Sequence, residues 1–349
     1  MDEFVFDYLK GNKKKLKSLS DEAVNSLSSL SKKYQLIGFI SSVYKFSNEE
    51  RSKELNLIRR TSVTKNLMMA SDLDMICKKF NKKNINYCVL KGPALVHAGI
   101  YKSGIRFFRD LDILVSKEDL DLAFKTLNQL GFNYINKLSK NNCDVLGNMH
   151  HLPVMVNNNC TYLELHHRVT KRSHYLKCPI SEDILKDKVF HDGVYIPSTD
   201  ALIGHALYHG ILHHENTIGP ITLFDLKEIT RKYRIDLALK NRYVNYLNLE
   251  DELRKINNLF KSIDQEDYSS SLMKKINAIK DNIVINEITD KKIYIFSFNK
   301  ILKRISNGYF SKKIQLAEFN YQTRRTDPKF IFFYLLDLFG SIKRGIRFF

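Results

Sequence analysis

The segment Arg109-Asp110-Leu111-Asp112-Ile113-Leu114-Val115 constrains the fold more than any other stretch of this 349-residue chain. It alternates polar and apolar residues and then becomes wholly apolar, which is typical of a central β-strand that enters a hydrophobic core. Side chains two residues apart on a strand project from the same face, so the carboxylates of Asp110 and Asp112 point the same way. The segment therefore predicts a core strand with two acidic groups at its start.

Strand and helix signals alternate around this segment. Residues 87–90 form a short β-like run that is closed by Lys91-Gly92-Pro93 and followed by a helical turn. After the acidic segment, a helix is predicted from Lys117 to Leu130. Gly131 then occupies the left-handed position that commonly ends a helix.

Two further β-like runs predict an antiparallel hairpin. They are His151–Val156 and Thr161–Val169, and they flank the polar turn Asn157–Asn159. Together with the preceding elements they predict an α+β core over residues 84–195, built on a small mixed or antiparallel sheet.

The first 83 residues are predicted to be helical. Apolar residues recur there at spacings of three and four, at Leu16, Leu19, Ala23, Leu27 and Leu30. A second periodic stretch runs from about Glu49 to Phe80. We therefore expect a helical region over 1–83 that precedes the core.

Helical patterns return after the core and predict a third region over residues 196–349. Its first helix is expected over Ala201–His214, with Ser198 or Thr199 as the N-cap. The chain contains no detectable internal repeat.

Asp110 and Asp112 can share a divalent cation. Mg2+ or Mn2+ prefers oxygen ligands and is commonly held by one or two carboxylates together with substrate phosphates. A third carboxylate is available at Glu164, which alternation places on the same side of its strand as His166. A solvated pair of acidic residues on an exposed strand is the alternative interpretation, but the apolar residues that follow Asp112 favour a buried strand.

The order Leu90-Lys91-Gly92, a helix, Arg106 and then the segment Asp110–Val115 resembles the uncharacterised nucleotidyltransferase family, which is often associated with bacterial polysaccharide gene clusters. That family belongs to the polymerase-beta-like nucleotidyltransferase superfamily, whose pattern is a Gly-Gly or Gly-Ser turn, an Asp-x-Asp strand and a later third carboxylate. The resemblance covers residues 85–169 well and continues more loosely to Asp225. Pro93 stands where the general pattern has Gly or Ser, which removes one N–H donor.

The resemblance implies metal-dependent transfer of a nucleotidyl group from a nucleoside triphosphate to a hydroxyl or phosphate acceptor. It favours a sugar or polysaccharide precursor as acceptor over a small molecule such as an aminoglycoside or a protein hydroxyl. Catalytic and metal-binding roles are implied for Asp110, Asp112 and Glu164. Binding of the triphosphate is implied for Lys91 and Gly92, and we add Arg106 and Arg109, because a guanidinium group matches phosphate oxygens.

Histidines form a second cluster in the predicted helix. His205, His209 and His213 are four residues apart, so they would lie along one side of it. A metalloprotease helix would need Glu after the first His, and Ala206 follows instead, which argues against a zinc hydrolase. Packed or hydrogen-bonded histidines bordering a cleft are the favoured interpretation. The family resemblance implies that His209, His213 and Asp225 line the acceptor pocket.

The formal net charge of +18 suits a protein that handles polyanions such as nucleotides, nucleic acid or an anionic membrane face. It does not choose among them, and biased codon usage is an equally good explanation of the many lysines. A non-catalytic module that binds nucleic acid is therefore the rival function. Such a module would bind in a strongly salt-dependent way and would not depend on Asp112.

The two ends of the chain and its cysteines bear on where the protein is located. The first residues lack the basic start and apolar core of a signal peptide, so we expect a cytoplasmic protein. The five cysteines show no metal-binding spacing and are expected to be reduced thiols. Residues 329–349 combine aromatic and basic side chains, which suits either core packing or peripheral contact with an anionic membrane. If the segment contacts a membrane, a membrane-peripheral scaffold is a further rival function.

Overall fold

A computed structural model describes residues 2–16, 19–46, 50–135, 150–170, 179–213, 220–237 and 239–265. The described helices are α1 (Asp2–Lys10), α2 (Asp21–Tyr34), α3 (Ile37–Val43), α4 (Glu50–Lys82), α5 (Lys91–His97), α6 (Leu120–Gln129), α7 (Ile180–Asp187), α8 (Thr199–Leu207), α9 (Ile221–Tyr233), α10 (Arg242–Leu247) and α11 (Glu250–Gln265). A π-helical segment, Tyr208–His213, directly follows α8. Within these residues no helix is both long and apolar enough to cross a membrane.

The strands are β1 (Lys14–Lys15), β2 (Tyr44–Lys45), β3 (Tyr87–Val89), β4 (Asp110–Val115), β5 (Asn133–Tyr134), β6 (Met155–Val156), β7 (Tyr162–His166), β8 (Val189–His191) and β9 (Val194–Ile196). Five of them form the main sheet in the order β3-β4-β7-β6-β5. The β4–β7 pair is parallel and the other three pairs are antiparallel. The predicted α+β class with a small mixed sheet is confirmed.

Strand β4 lies between β3 and β7 and is buried, as its sequence predicts. Its apolar side chains have no measurable exposure; they are Leu111, Ile113, Leu114 and Val115. Burying each such side chain contributes roughly 1.5–3 kcal/mol relative to leaving it in water, so this strand is firmly fixed in the core. The acidic residues at its start are held at a defined depth as a result.

The predicted element boundaries need small corrections. Leu90 was expected to end the first strand, but β3 ends at Val89 and Leu90 is the extended residue before α5. Helix α6 begins at Leu120 rather than Lys117, and Gly131 follows it with a left-handed φ of 86° as expected. The hairpin strands pair antiparallel as predicted, although they are shorter, since β6 and β7 cover only 155–156 and 162–166.

The predicted helix Ala201–His214 is wrong in its second half. Its α-helical part ends at Leu207, and the backbone then closes i→i+5 turns through His213. The rings of His205 and His209 nevertheless lie next to each other, with their centroids 6.2 Å apart, so the first two members of the predicted row are neighbours. The side chain of His213 lies outside the described residues, as does the segment 329–349.

Helices from both ends of the described chain pack together around Phe224 of α9. Its ring centroid lies 5.8 Å from that of Phe4, 4.3 Å from that of Tyr8 and 4.9 Å from that of Phe39. The residues of α1 and α3 thus share a core with α9. This packing brings helices from before and after the sheet to the edge where β4 begins.

Candidate active site

The two central strands bring the predicted carboxylates together. Strands β4 and β7 run parallel, and Asp112 is directly opposite Glu164 in their register. Because side chains on one strand alternate between faces, Glu164 and His166 project from the same face of β7. The site is therefore assembled on the rigid middle of the sheet.

Asp112, Glu164 and His166 form a compact group in which one ligand atom from each lies within 4.8 Å of the others. The Nε2–H of His166 donates to Asp112 Oδ1 at 2.9 Å and lies 3.3 Å from Glu164 Oε2. Asp112 and His166 are buried, whereas Glu164 is partly exposed to the adjoining cavity. Sequence reasoning placed His166 beside Glu164 but did not assign it to the site, and the alternation of β7 was the signal that could have done so.

Asp110 lies on the same face of β4 but outside this group. A strand rises about 3.3 Å per residue, so two residues separate the carboxylates by roughly 6.6 Å along the strand. Burial, followed by the negative charge of Asp112, raises the pKa of Asp110 to about 6. Asp110 therefore lies next to the cluster, and the charge of the cluster shifts its pKa.

The ammonium group of Lys91 lies between the acidic groups. Its Nζ lies 2.5 Å from Asp112 Oδ1 and 4.0 Å from Glu164 Oε2. The chain turns from β3 into α5 at this residue, whose φ of 55° is uncommon for a side chain other than Gly, Asn or Asp. Such strain is found where the surrounding structure fixes a functional group, and here it aims the Lys91 ammonium at the carboxylates.

Charge pairing dominates over burial in this cluster. Burial opposes the ammonium form of Lys91, but the carboxylates of Asp112, Glu164 and Asp110 raise its pKa overall. Burial likewise opposes ionisation of Asp112, yet the charge of Lys91 and the hydrogen bond from His166 hold its pKa well below the usual range. The pKa of His166 is raised against its burial by its bonds to Asp112 and Glu164.

Gly92 is the second residue of α5, and a side chain there would be crowded. A Cβ atom would lie 3.1 Å from Phe108 Cβ and 3.6 Å from Arg106 Cζ. Pro93 follows at the third helical position, where the backbone N–H has no partner within the helix in any case. The guanidinium group of Arg106 can therefore approach the backbone of α5 closely.

Arg106 and Asp225 form a buried ion pair across the cavity. Arg106 donates from Nε to Asp225 Oδ1 at 2.9 Å and from Nη2 to Asp225 Oδ2 at 3.1 Å. The hydroxyl of Tyr101 donates to the same Oδ1 at 2.7 Å. Sequence reasoning had placed Asp225 in the acceptor pocket and Arg106 near phosphate, and both residues line one cavity.

Arg109 has a different set of partners. Its Nη2 donates to the backbone oxygens of Lys32 and Lys33, at 3.3 and 2.8 Å. These carbonyls belong to the last turn of α2, where carbonyl groups lack helical partners. Arg109 thus fastens α2 beside the start of β4.

The cavity that these residues border has a volume of about 460 Å3. Besides the residues above, it is lined by Lys33, Tyr34, Gln35, Pro93, Leu95, Phe108, His151, Leu202, His205, Ala206, His209, Ile221 and Thr222. Of the predicted histidines, both His205 and His209 line the cavity, and His205 is buried. Burial, and then the positive charge of Lys91, lowers the pKa of His205 to about 3, so this imidazole is neutral at physiological pH.

The residues of the cluster fit a divalent cation. Asp112 Oδ2 is buried and has no hydrogen-bond partner among the described residues, so one carboxylate oxygen has no other role in the site. Carboxylate oxygens from Asp112 and Glu164 suit Mg2+, and the imidazole of His166 would suit Mn2+ as well once its Nε2 has released the proton that it now donates to Asp112. Asp110 stands next to them and could complete the set through a bound phosphate or water.

A sequence profile described as "Uncharacterised nucleotidyltransferase" matches residues 40–262 of the chain. The matched range contains residues 85–169 and confirms the resemblance that they carry. No curated protein matches the chain significantly. Among solved structures, an antigenic nucleotidyltransferase-like protein from Paracoccidioides brasiliensis is similar at 13% identity and a TM-score of 0.36, over 58% of this chain and 95% of that chain.

Proposed function

The chain belongs to the uncharacterised nucleotidyltransferase family, and from that membership we propose that it transfers a nucleotidyl group from a nucleoside triphosphate to a hydroxyl or phosphate acceptor. The observation that carries the proposal is the in-register pair of a buried Asp112 and a partly exposed Glu164, which lie beside Lys91 and line a cavity. A cation bound there would hold the triphosphate and offset the charge that develops during transfer.

The chain's own residues supply positioning and charge. Asp110, Asp112 and Glu164 line the cavity, and His166 lies against the last two, so we propose that these residues hold Mg2+ or Mn2+. Lys91, among the carboxylates, and Arg106, against Gly92, present cationic donors to the same cavity, where phosphate oxygens would lie beside Gly92. Arg109 holds α2 next to Asp110, so its contribution to phosphate binding includes fixing that wall.

In the proposed reaction an acceptor oxygen attacks the α-phosphorus as its hydroxyl proton is released to solvent. The bond from the α-phosphorus to the bridging oxygen breaks, and pyrophosphate leaves. Catalysis then comes mainly from orientation and from stabilisation of negative charge. We propose that the acceptor, of which a sugar or polysaccharide precursor is our first choice, lies against the wall that contains His209 and Asp225. His213 remains a predicted third contact.

The test is titration of each of the four nucleoside triphosphates against the wild-type protein and an Asp112→Asn variant, with Mg2+, Mn2+ or EDTA. Even groups that only orient metal ligands change affinity roughly 10- to 100-fold, so loss of Asp112 should weaken metal-dependent binding by at least about 100-fold. Pyrophosphate release is then followed with sugar phosphates as candidate acceptors.

Asp251→Asn is the matched control for this titration. It also converts an aspartate to an amide, but Asp251 is an exposed residue of α11 that pairs with Arg254, and such surface pairs contribute little. It should bind nucleotide as the wild type does. Equal, salt-sensitive binding by the wild type and Asp112→Asn, without a metal requirement, would replace the proposal with the rival nucleic-acid-binding function.

A further inference from the structure

The ion pair of Arg106 and Asp225 joins two distant parts of the chain at the cavity. The residues are separated by 119 positions, and their side chains are only 12% and 9% exposed. Arg106 lies just before β4, whereas Asp225 is in α9 of the helical region after the sheet. The carboxylate of Asp225 in α9 therefore holds the guanidinium group of Arg106 beside the sheet.

The contacts of Arg106 leave part of its guanidinium group for a ligand. A guanidinium group has five N–H donors in a fixed plane. Among the described residues, Asp225 accepts from two of them, and the backbone oxygen of Phe107 accepts from Nη1 at 2.5 Å. The guanidinium group of Arg106, which carries the remaining N–H donors, lines the cavity and lies against Gly92.

We propose that Asp225 is a positioning residue, which fixes the guanidinium plane of Arg106 so that its remaining N–H groups bind phosphate oxygens of the nucleoside triphosphate. The proposal rests on the proposed function and changes the expected role of Asp225, which acts through Arg106 and not by contact with the acceptor. Tyr101 supports the arrangement. Its hydroxyl donates to Oδ1 of Asp225, which also accepts from Arg106 Nε, and this second bond limits rotation of the carboxylate.

The charges explain why a pair is needed and why the cation is arginine. An unpaired guanidinium group in this buried position would be costly, and Asp225 compensates it. The compensated pair has no net charge, so Arg106 contributes directed hydrogen bonds more than long-range attraction. A lysine would supply a mobile point charge and could not bond Asp225 and a phosphate in one plane.

A double-mutant cycle on the full chain tests the proposal. The four proteins are the wild type, Arg106→Ala, Asp225→Ala and the double variant, and the measured quantity is the Kd of ATP, or of whichever triphosphate the wild type prefers, in the presence of Mg2+. Each single variant should weaken binding roughly 10- to 100-fold, as expected for hydrogen bonds to a charged group. The double variant should lose no more than Arg106→Ala, because Asp225 has no effect without Arg106.

Three additional variants separate positioning from general damage. Asp225→Asn keeps the shape of the side chain in case Asp225→Ala does not fold, and it should also weaken nucleotide binding while leaving the KM for acceptor unchanged. Arg106→Lys should fail to restore affinity. Asp264→Ala removes the partner of Lys227, which is a buried lysine of the same helix α9, and should leave nucleotide binding unchanged.

Several results would overturn the inference. Losses that add in the double variant would mean that Asp225 acts independently of Arg106, and tighter nucleotide binding by Asp225→Ala would mean that the pair restrains Arg106. A change confined to the acceptor KM would return Asp225 to the acceptor pocket. If the wild type binds no triphosphate with either metal, the proposed function itself fails. If it binds and Asp112→Asn does not, while the cycle is additive, only the positioning role fails.

Discussion

Asp112 is the residue on which most of the site converges. It is 1% exposed, and its Oδ1 receives both the ammonium of Lys91 and the imidazole N–H of His166. A carboxylate this deeply buried would favour its neutral form if it stood alone. Its partners, together with the cation that we propose for the site, are what keep it ionised.

Replacement of Lys91 by methionine should make stability depend on divalent cations. Removing one member of a buried ion pair typically costs about 3–5 kcal/mol, because the other charge is left without compensation. In EDTA we expect a loss of this size in the free energy of unfolding. A cation bound to the carboxylates should return about 1.4 kcal/mol when it is present at ten times its Kd.

Urea unfolding of Lys91→Met in EDTA and in Mg2+ or Mn2+ measures this effect. Lys227→Met is the control, since Lys227 is also a buried lysine paired with an aspartate, but its partner Asp264 lies outside the cavity and is 58% exposed. Because the Asp264 left behind is solvated, the control should lose little stability, and its stability should not differ between EDTA and metal. Equal recovery of both variants, or none in Lys91→Met, would argue against a cation site at Asp112.

The residue-scale prediction from sequence succeeded where local periodicity decides geometry. The period of two along a strand predicts that Asp110 and Asp112 share a face, and it also predicts that Glu164 and His166 do. It does not give the distance between strands, so the sequence could not tell that His166 joins Asp112 more closely than Asp110 does. Likewise, nothing local to Arg106 indicates a partner 119 residues away.

At the scale of elements, β7 is held in place by contacts with the long helix α4. The carboxylate of Asp72 is buried in α4 and accepts from Asn157 Nδ2 at 2.8 Å, from Asn159 Nδ2 at 3.1 Å and from the hydroxyl of Thr161. These residues form the turn that leads into β7. The contact therefore sets where β7, and with it Glu164, begins.

Asp72→Ala should destabilise the protein by about 1–3 kcal/mol, because the buried hydroxyl of Thr161 and the partly buried amide of Asn157 would lose their acceptor. The midpoint of urea unfolding reports the loss if the slope of the transition is unchanged. Asp74→Ala is the matched control on the same helix, since Asp74 is exposed, and such surface changes are usually within about 0.5 kcal/mol. Comparable stability of the two variants would show that the turn is held by its own internal bonds.

Elements with a strong periodic pattern were predicted well, and irregular ones were not. Helix α4 was expected from about Glu49 to Phe80 and runs from Glu50 to Lys82. The π-helical segment was missed because its residues also fit an ordinary helix. A backbone change of this kind depends on packing, and here Gly210 touches Thr222 so closely that a Cβ atom would lie 2.1 Å from its Oγ1.

At the scale of the whole molecule, the cavity is built from three parts of the chain. Lys33, Tyr34 and Gln35 come from the end of α2, the acidic cluster comes from the sheet, and His209 and Asp225 come from the helices after it. The first of these parts precedes the region matched by the family, which begins at residue 40. The sequence predicts each part as an element, but their meeting depends on long-range packing that no local pattern encodes.

A cavity assembled in this way should respond to a ligand in all three parts. Ligand binding stabilises whatever elements surround the site, and the opening of those elements is then suppressed. With Mg2+ and a nucleoside triphosphate, we expect slower amide hydrogen exchange within 33–35, within 91–93 and within 202–209. In the second segment only Lys91 and Gly92 report, because Pro93 has no amide hydrogen. The hairpin of β8 and β9 does not line the cavity, so its exchange should change little and can serve as the internal reference.

The same exchange experiment on Asp112→Asn distinguishes ligand binding from a general effect of magnesium. Protection should disappear at all three parts together in that variant, because each part is protected only through the bound nucleotide. Protection of 91–93 alone in the wild type would mean that α2 and α8 border the nucleotide without contacting it. The helices α2 and α8 would then contact the acceptor and not the nucleotide. Their amides should be protected only when acceptor and nucleotide are both present.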